Sequence, residues 1–251
     1  MELNKLVSFT DKLLNIGAYS DYAPNGLQVE GSADVKKIVT GVSANQALFE
    51  ESVNREANLI LVHHGLFWHK ADNRPIQLMR KRLNILFQHD VSLLAYHLPL
   101  DFHLVYGNNI QFAKMLGLKF ETTYADNLTK LLLFLGKLDK KMTGEQFSAR
   151  LTKRLHRQPF YIQGKTKTIE NVAWCVGAAQ SGVYAAVKAG ADAYITGEVS
   201  EPTVSIAQET GIHFFAAGHH ATEMFGVQAL GEHLATTFNL EHEFINIFNP
   251  V

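Results

Sequence analysis

Apolar residues along the chain switch between a helical and an extended spacing. Leu3, Leu6, Val7, Leu13 and Leu14 share one helical face, and Gly17 reads as a stop after Ile16. The turn residues of Ser20-Asp21-Tyr22-Ala23-Pro24-Asn25-Gly26 mark a loop, after which Lys37–Val42, dense in β-branched residues, predicts a strand. Helix 45–56, strand 59–62, a helix near 75–88 and strand 91–96 follow in order. The first of these strands runs into His63-His64 and the second into His97.

The same order returns later in the chain. At an offset of 134, Val42 matches Val176, Ala44 matches Ala178, Gln46 matches Gln180, Val53 matches Val187 and Ala57 matches Ala191. Strand 193–196 closes this second unit, and 212–217 takes the place of 91–96 at an offset of 122, which sets His219 on His97 and Glu223 on Asp101. Each His-x-x-x-acid motif is followed by a glycine, Gly107 or Gly226, and a helix, 108–116 or 226–237. Leu131–Leu135 as a strand and Glu145–Leu155 as a helix mark the entry to the second half. The expected fold is α/β, two similar halves from an internal duplication with mixed sheets flanked by helices. Residues 1–125 would form the half carrying His63-His64 and His97/Asp101, and 126–251 the half carrying His219/Glu223, with the chain crossing back between halves near its C-terminus.

Composition narrows the function. With 251 residues, 47% of them hydrophobic, the chain can bury a sizeable core. The 23 basic and 24 acidic side chains nearly cancel, so charge gives no indication of nucleic acid or an anionic membrane as partner. Arg80-Lys81-Arg82, the one basic run, reads as the solvated face of a helix. A single cysteine, Cys175, excludes a disulfide framework and any multi-cysteine metal site. The start of the chain lacks a signal-peptide layout and no stretch reaches the ~20 apolar residues of a membrane span, so the expected compartment is the cytoplasm.

His63, His64, His97, Asp101, His219 and Glu223 all fall at the carboxyl ends of predicted strands, where open α/β sheets bind ligands. Any one of these histidines alone reads as a surface or hydrogen-bonded core residue, but together they read as a metal site. Neighbours in a strand face opposite ways, so His63 and His64 share one ion only if the strand has already ended; otherwise they serve two. Two divalent cations need bridging carboxylates, a role open to Asp101 and Glu223, and imidazole with carboxylate suits zinc, iron, manganese or nickel. His97 either coordinates or orients a ligand by a hydrogen bond. His220 faces away or supports the site, and Glu198 faces the crevice or caps the next helix. Tyr22, Asn25 and Gln28 line a pocket or simply serve the turn. No phosphate loop, nucleophile elbow or dinucleotide fingerprint is present.

Ser20-Asp21-Tyr22-Ala23-Pro24-Asn25-Gly26-Leu27-Gln28-Val29-Glu30-Gly31, Val62-His63-His64-Gly65, His97-Leu98-Pro99-Leu100-Asp101, Ile195-Thr196-Gly197-Glu198 and Gly218-His219-His220-Ala221-Thr222-Glu223 occur together. In this the chain resembles the YbgI-like bacterial branch of the NGG-one-interacting-factor-three family, whose members often carry the label GTP cyclohydrolase type 2 homologue. The resemblance implies a two-domain α/β subunit in a ring-shaped homohexamer with a dinuclear metal centre. Its ligands carry over to His63, His64, Asp101, His219 and Glu223.

The leading functional expectation is a hydrolase with two divalent ions per subunit, acting on a nucleotide or related heterocycle, with Asp101 and Glu223 as catalytic carboxylates. For a GTP cyclohydrolase the target would be C8 of guanine. The alternative class is a non-enzymatic metal-binding regulatory or assembly protein, set apart by closed rather than open coordination.

Overall fold

A computed structural model describes residues 1–251. The first stretch of the chain forms α1 (Leu3–Leu14), β1 (Gly26–Val29), β2 (Lys37–Ser43), α2 (Gln46–Asn54), β3 (Leu59–His64), α3 (Gln77–Gln88), β4 (Ser92–Ala95) and α4 (Leu98–Phe102). The middle forms α5 (Asn108–Leu116), β5 (Leu118–Ala125), β6 (Leu132–Met142), α6 (Gly144–Leu155), β7 (Phe160–Ile162), β8 (Ile169–Trp174), α7 (Val183–Lys188), β9 (Ala193–Thr196), α8 (Glu201–Thr210), β10 (His213–Ala216) and α9 (His219–Thr222). The chain ends with α10 (Met224–Phe238) and β11 (Glu241–Phe244).

Two compact units result, one of Met1–Gly107 with Met224–Phe248, the other of Asn108–Glu223 with Asn249–Val251. The compact units divide at Gly107/Asn108 rather than at 125/126, and the chain crosses back to the first unit at Met224, so helix 226–237 packs there. Packing is the reason. Val227, Leu230 and Leu234 of α10 lie in one core with Ile38, Leu59 and Leu61, whereas Trp174 of β8 donates its indole N–H to the Asn109 carbonyl of α5 at 3.0 Å.

The first unit holds a five-stranded sheet, ordered β1-β4-β3-β2-β11, parallel except for β1. Its period-2 alternation sorts the core. Val39, Ile60, Val62, Leu93 and Ala95 pack against Leu48, Phe49, Leu83 and Leu86 of α2 and α3. Their neighbours Ile38, Leu59, Leu61 and Leu94 face Leu3, Leu6 and Leu14 of α1 together with α10. Burial on both faces is what the near-continuous apolar runs of parallel strands require. Helix α1 stops at Asn15, in left-handed conformation, rather than at Gly17.

The second unit holds a six-stranded mixed sheet, ordered β5-β6-β8-β9-β10-β7, whose middle strands β8, β9 and β10 run parallel. Leu133, Ala173, Tyr194 and Phe214 face α7 and α8 through Val183, Ala186 and Ala207. On the opposite side Phe147 of α6 meets Phe215 edge-on, with centroids 5.2 Å apart. The chain is thus an α/β protein with two mixed sheets flanked by helices. No helix is long and apolar enough to cross a membrane.

The offset of 134 is kept by strand pairing, since Ile38 opposes Leu59 and Val172 opposes Ala193. The offset of 122 is not. Val62 opposes Ala95 and Thr196 opposes Ala216, and from there His97 caps α4 whereas Gly218 caps α9. His219 is the first residue of its helix, one step out of register with His97. Asp101 lies inside α4, while Glu223 is the residue that ends α9.

Candidate metal centre

Adjacent parallel strands deliver their following residues side by side. Because β3 and β4 are paired as far as Val62 and Ala95, His63, His64, Tyr96 and His97 emerge together at one end of the sheet. Antiparallel β1 places Gly26 opposite Ala95, so the loop entering it brings Asp21, Tyr22 and Asn25 to the same end. Helix α4, with Pro99 in its first turn, then turns Asp101 back toward His63.

Strand β3 runs through His64, so the condition expected for a shared ion, a strand already ended, is not met. The two rings nevertheless sit 4.5 Å apart between centroids. Ladder geometry explains it: His64 is paired with Ser43 on one side, but β4 has stopped at Ala95 and nothing of that strand opposes it on the other. His63, His64 and His97 each offer a nitrogen within 4.8 Å of the others.

Every one of these imidazoles is held by Nδ1. His63 donates from Nδ1 to the Tyr96 carbonyl at 2.9 Å, His64 Nδ1 meets Ser43 Oγ at 3.0 Å, and His97 Nδ1 meets Asp21 Oδ1 at 2.8 Å. Asp21 also accepts from the backbone of Ala23 and Leu98 and from Asn25, whose Oδ1 takes the His97 N–H at 2.7 Å. Burial works to raise the Asp21 pKa, but the hydrogen bonds from His97 and Asn25 hold its carboxyl well below the usual carboxylate range. Outer partners of this kind fix the tautomer and aim of metal-binding histidines.

The His63 tautomer has a direct consequence. A carbonyl only accepts, so Nδ1 carries the hydrogen and the lone pair of Nε2 faces Asp101 Oδ1 at 3.4 Å. Two electron-rich atoms opposed in a buried place call for a cation, and three imidazoles with a carboxylate are a suitable donor set for a divalent transition metal.

The second unit repeats the device. His219 Nδ1 lies 2.7 Å from Glu198 Oε1, and its Nε2 lies 3.2 Å from Glu223 Oε2. Burial favours the neutral ring, but Glu223 and Glu198 outweigh it and the pKa is pushed up to about 9. Gly177, at φ +69°, passes so close that a Cβ there would overlap the Glu223 carboxylate, and Thr222 Oγ1 fixes this approach by accepting from the Gly177 N–H at 3.2 Å. His220 joins none of the side-chain groups with metal-ligand spacing, and its backbone N–H donates to the Val251 carbonyl.

Metal at His219 must displace a proton. Its affinity is therefore expected to rise with pH toward about 9 and to level off above it, because below that value the ring is protonated in the metal-free protein. Competition with a calibrated chelator across that range, together with proton release on zinc addition, reads this directly. A flat profile between neutrality and that pH would show that His219 does not bind.

Sequence reasoning missed Asp21 and Ser43 as orienting partners. Asp21 does serve its own turn, by accepting from Ala23, which hides its second role. Gln28 proves structural: its amide donates to the Pro24 carbonyl and accepts from Leu66 N–H, bracing the loop after the two histidines. Trp68, not singled out from sequence, lies with its ring 5.9 Å from that of His64.

A family model described as Duf34/NIF3 (NGG1p interacting factor 3) matches residues 1–250. A Pseudomonas aeruginosa protein named GTP cyclohydrolase 1 type 2 homolog is 45% identical, with 99% of this chain and 98% of that protein covered. The homologue of the same name in Salmonella typhimurium is 46% identical, with 99% and 98% covered. Among solved structures, protein ybgI, described as of unknown function, shares 43% identity and a TM-score of 0.94 over the whole of both chains. TTHA1606 from Thermus thermophilus gives 33% and 0.89, again with both chains fully covered.

Proposed function

This chain belongs to the Duf34/NIF3 family, and from that premise we propose that it is a dinuclear metal-dependent hydrolase acting on a nucleotide or related heterocycle. The observation that carries the reading is the pair of imidazole–carboxylate contacts, His63–Asp101 and His219–Glu223, each with the imidazole Nδ1 already engaged. Taking His63, His64, Asp101, His219 and Glu223 as ligands of one centre rests on the family resemblance. The offset-134 register shared by the two sheets supports descent of both units from one strand–helix–strand ancestor.

Two bound ions would supply Lewis acidity and bring the pKa of a coordinated water toward ~7. Asp101 and Glu223 would supply the negative charge that holds them. His97, oriented through Nδ1 by Asp21 and with a nitrogen within 4.8 Å of those of His63 and His64, is the third imidazole at this end of the sheet. The relatives' name makes GTP the first substrate to try. Elemental analysis of the protein as purified should find about two divalent ions per subunit, and GTP turnover should vanish on chelation and return on readdition. Turnover that survives chelation, or stoichiometric metal without turnover of any nucleotide or pterin precursor, removes the hydrolase reading. The second outcome leaves a metal-binding protein.

A homohexamer is part of the same proposal. Multi-angle light scattering at low micromolar concentration is expected to give six times the chain mass. A monomer at that concentration defeats it.

A further inference from the structure

Two aromatic rings stand beside the histidine cluster, and neither is among the side chains with metal-ligand spacing. Tyr22, in the loop before β1, is 57% exposed. Trp68, just after β3, is half-buried, and the two rings lie within 27° of parallel at a centroid separation of 5.9 Å. Both meet His97 edge-on, Tyr22 at 4.9 Å and Trp68 at 5.4 Å. They form a ledge beside His97 on which Tyr22 is exposed and Trp68 half-buried.

The ledge is built, not incidental. Asn73 clamps the Trp68 backbone from both sides, accepting from its N–H at 3.3 Å and donating to its carbonyl at 2.9 Å. The His69 N–H donates to the Tyr22 carbonyl at 3.0 Å, which ties the two loops together. The Tyr22 hydroxyl reaches His97 Nε2 at 3.5 Å and restrains the phenol. Tyr22 is no member of the apolar core, in which Leu66 and Ala95 are buried.

We propose that Tyr22 and Trp68 are positioning residues that stack the planar heterocycle of the substrate beside the metal cluster. This rests on the hydrolase reading for its substrate but makes its own claim, that recognition is through a π-face. Aromatic stacking tolerates any flat ring, and its loss weakens binding by about tenfold or more per stacked base. Phosphate alone offers such a surface nothing.

Tryptophan fluorescence of the metal-loaded protein tests this. The chain has two tryptophans, and Trp174 is fully buried with its indole N–H bonded to Asn109, so a stacking quencher reports Trp68. Guanosine and GTP are expected to quench the emission saturably, and inorganic triphosphate is not. Trp68→Leu should abolish the quench and Tyr22→Leu should weaken guanosine about tenfold. Tyr22→Phe, which keeps the ring but loses the hydroxyl contact with His97, should weaken guanosine far less than Tyr22→Leu, and all three variants should keep their metal. Quenching that persists in Trp68→Leu, or guanosine that fails to quench at millimolar concentration, overturns the ledge. If guanosine behaves as expected while GTP is never turned over, the ledge stands and the hydrolase reading falls.

Discussion

Replacing His63 with glutamine is expected to lower retained divalent metal by at least tenfold, the order of loss known for changes even one layer out from a metal. His63 is fully buried, its Nδ1 is committed to the Tyr96 carbonyl, and its Nε2 faces Asp101 Oδ1 at 3.4 Å, the placement a metal ligand would need. Glutamine keeps polarity and much of the volume, which separates ligand loss from the cost of a cavity. Asp101→Asn should act in the same direction, because it removes the opposed charge while keeping the shape. Exposed His89, at the end of α3, is the control, and His89→Gln should retain the parent metal content. Metal analysis after dialysis against a weak chelator decides the matter: equal metal in His63→Gln and His89→Gln would end the case for a centre at this end of the sheet.

Whatever depended on local pattern was legible in the sequence. The runs Leu59–Val62 and Val91–Tyr96 read as buried strands, observed as Leu59–His64 and Ser92–Ala95, and His63-His64 and His97 stand at their ends. Strands made by pairing rather than by hydrophobicity were not legible. β11, Glu241-His242-Glu243-Phe244, is mostly polar and exists because it adds to β2, with His242 meeting Thr40 and Glu243 meeting Arg55. β5 is similar, since only Leu118 of its eight residues is buried. The boundary of the units was hidden for a related reason: the amphipathic pattern of α10 shows that it has an apolar face but not which sheet receives it. The orienting partners were harder still. His97 and Asp21 are 76 positions apart, and a hydrogen bond over that distance leaves no local trace. The one-residue slip that separates His97 from His219 also lies outside what identity at fixed offsets can detect, because it arises in the turn between strand and helix.

Gly177→Ala and Gly190→Ala should differ sharply although both glycines have positive φ, +69° and +77°. At Gly190 a Cβ meets nothing within 4 Å, so only the left-handed backbone strain remains, roughly 1–2 kcal/mol. At Gly177 the same strain is joined by overlap with the Glu223 carboxylate, with His219 Nε2 in van der Waals contact at 3.4 Å. Relief requires Glu223 to move, and its burial together with the Thr222 hydrogen bond to Gly177 leaves little room for that. The expected cost is about 2–5 kcal/mol, the strain plus about 1–3 for overpacking, accompanied by loss of metal. Denaturant midpoints and metal content of both variants measure it. The mechanism has its own check, because Glu223→Ala removes the group that is struck. Adding Gly177→Ala to Glu223→Ala should then cost no more than Gly190→Ala does, a non-additivity of the kind that marks residues in direct contact. If Gly177→Ala is as mild as Gly190→Ala and keeps its metal, Glu223 is not held where a ligand has to be. If instead the two changes simply add, the strain lies in the backbone and the glycine has no part in shaping the site.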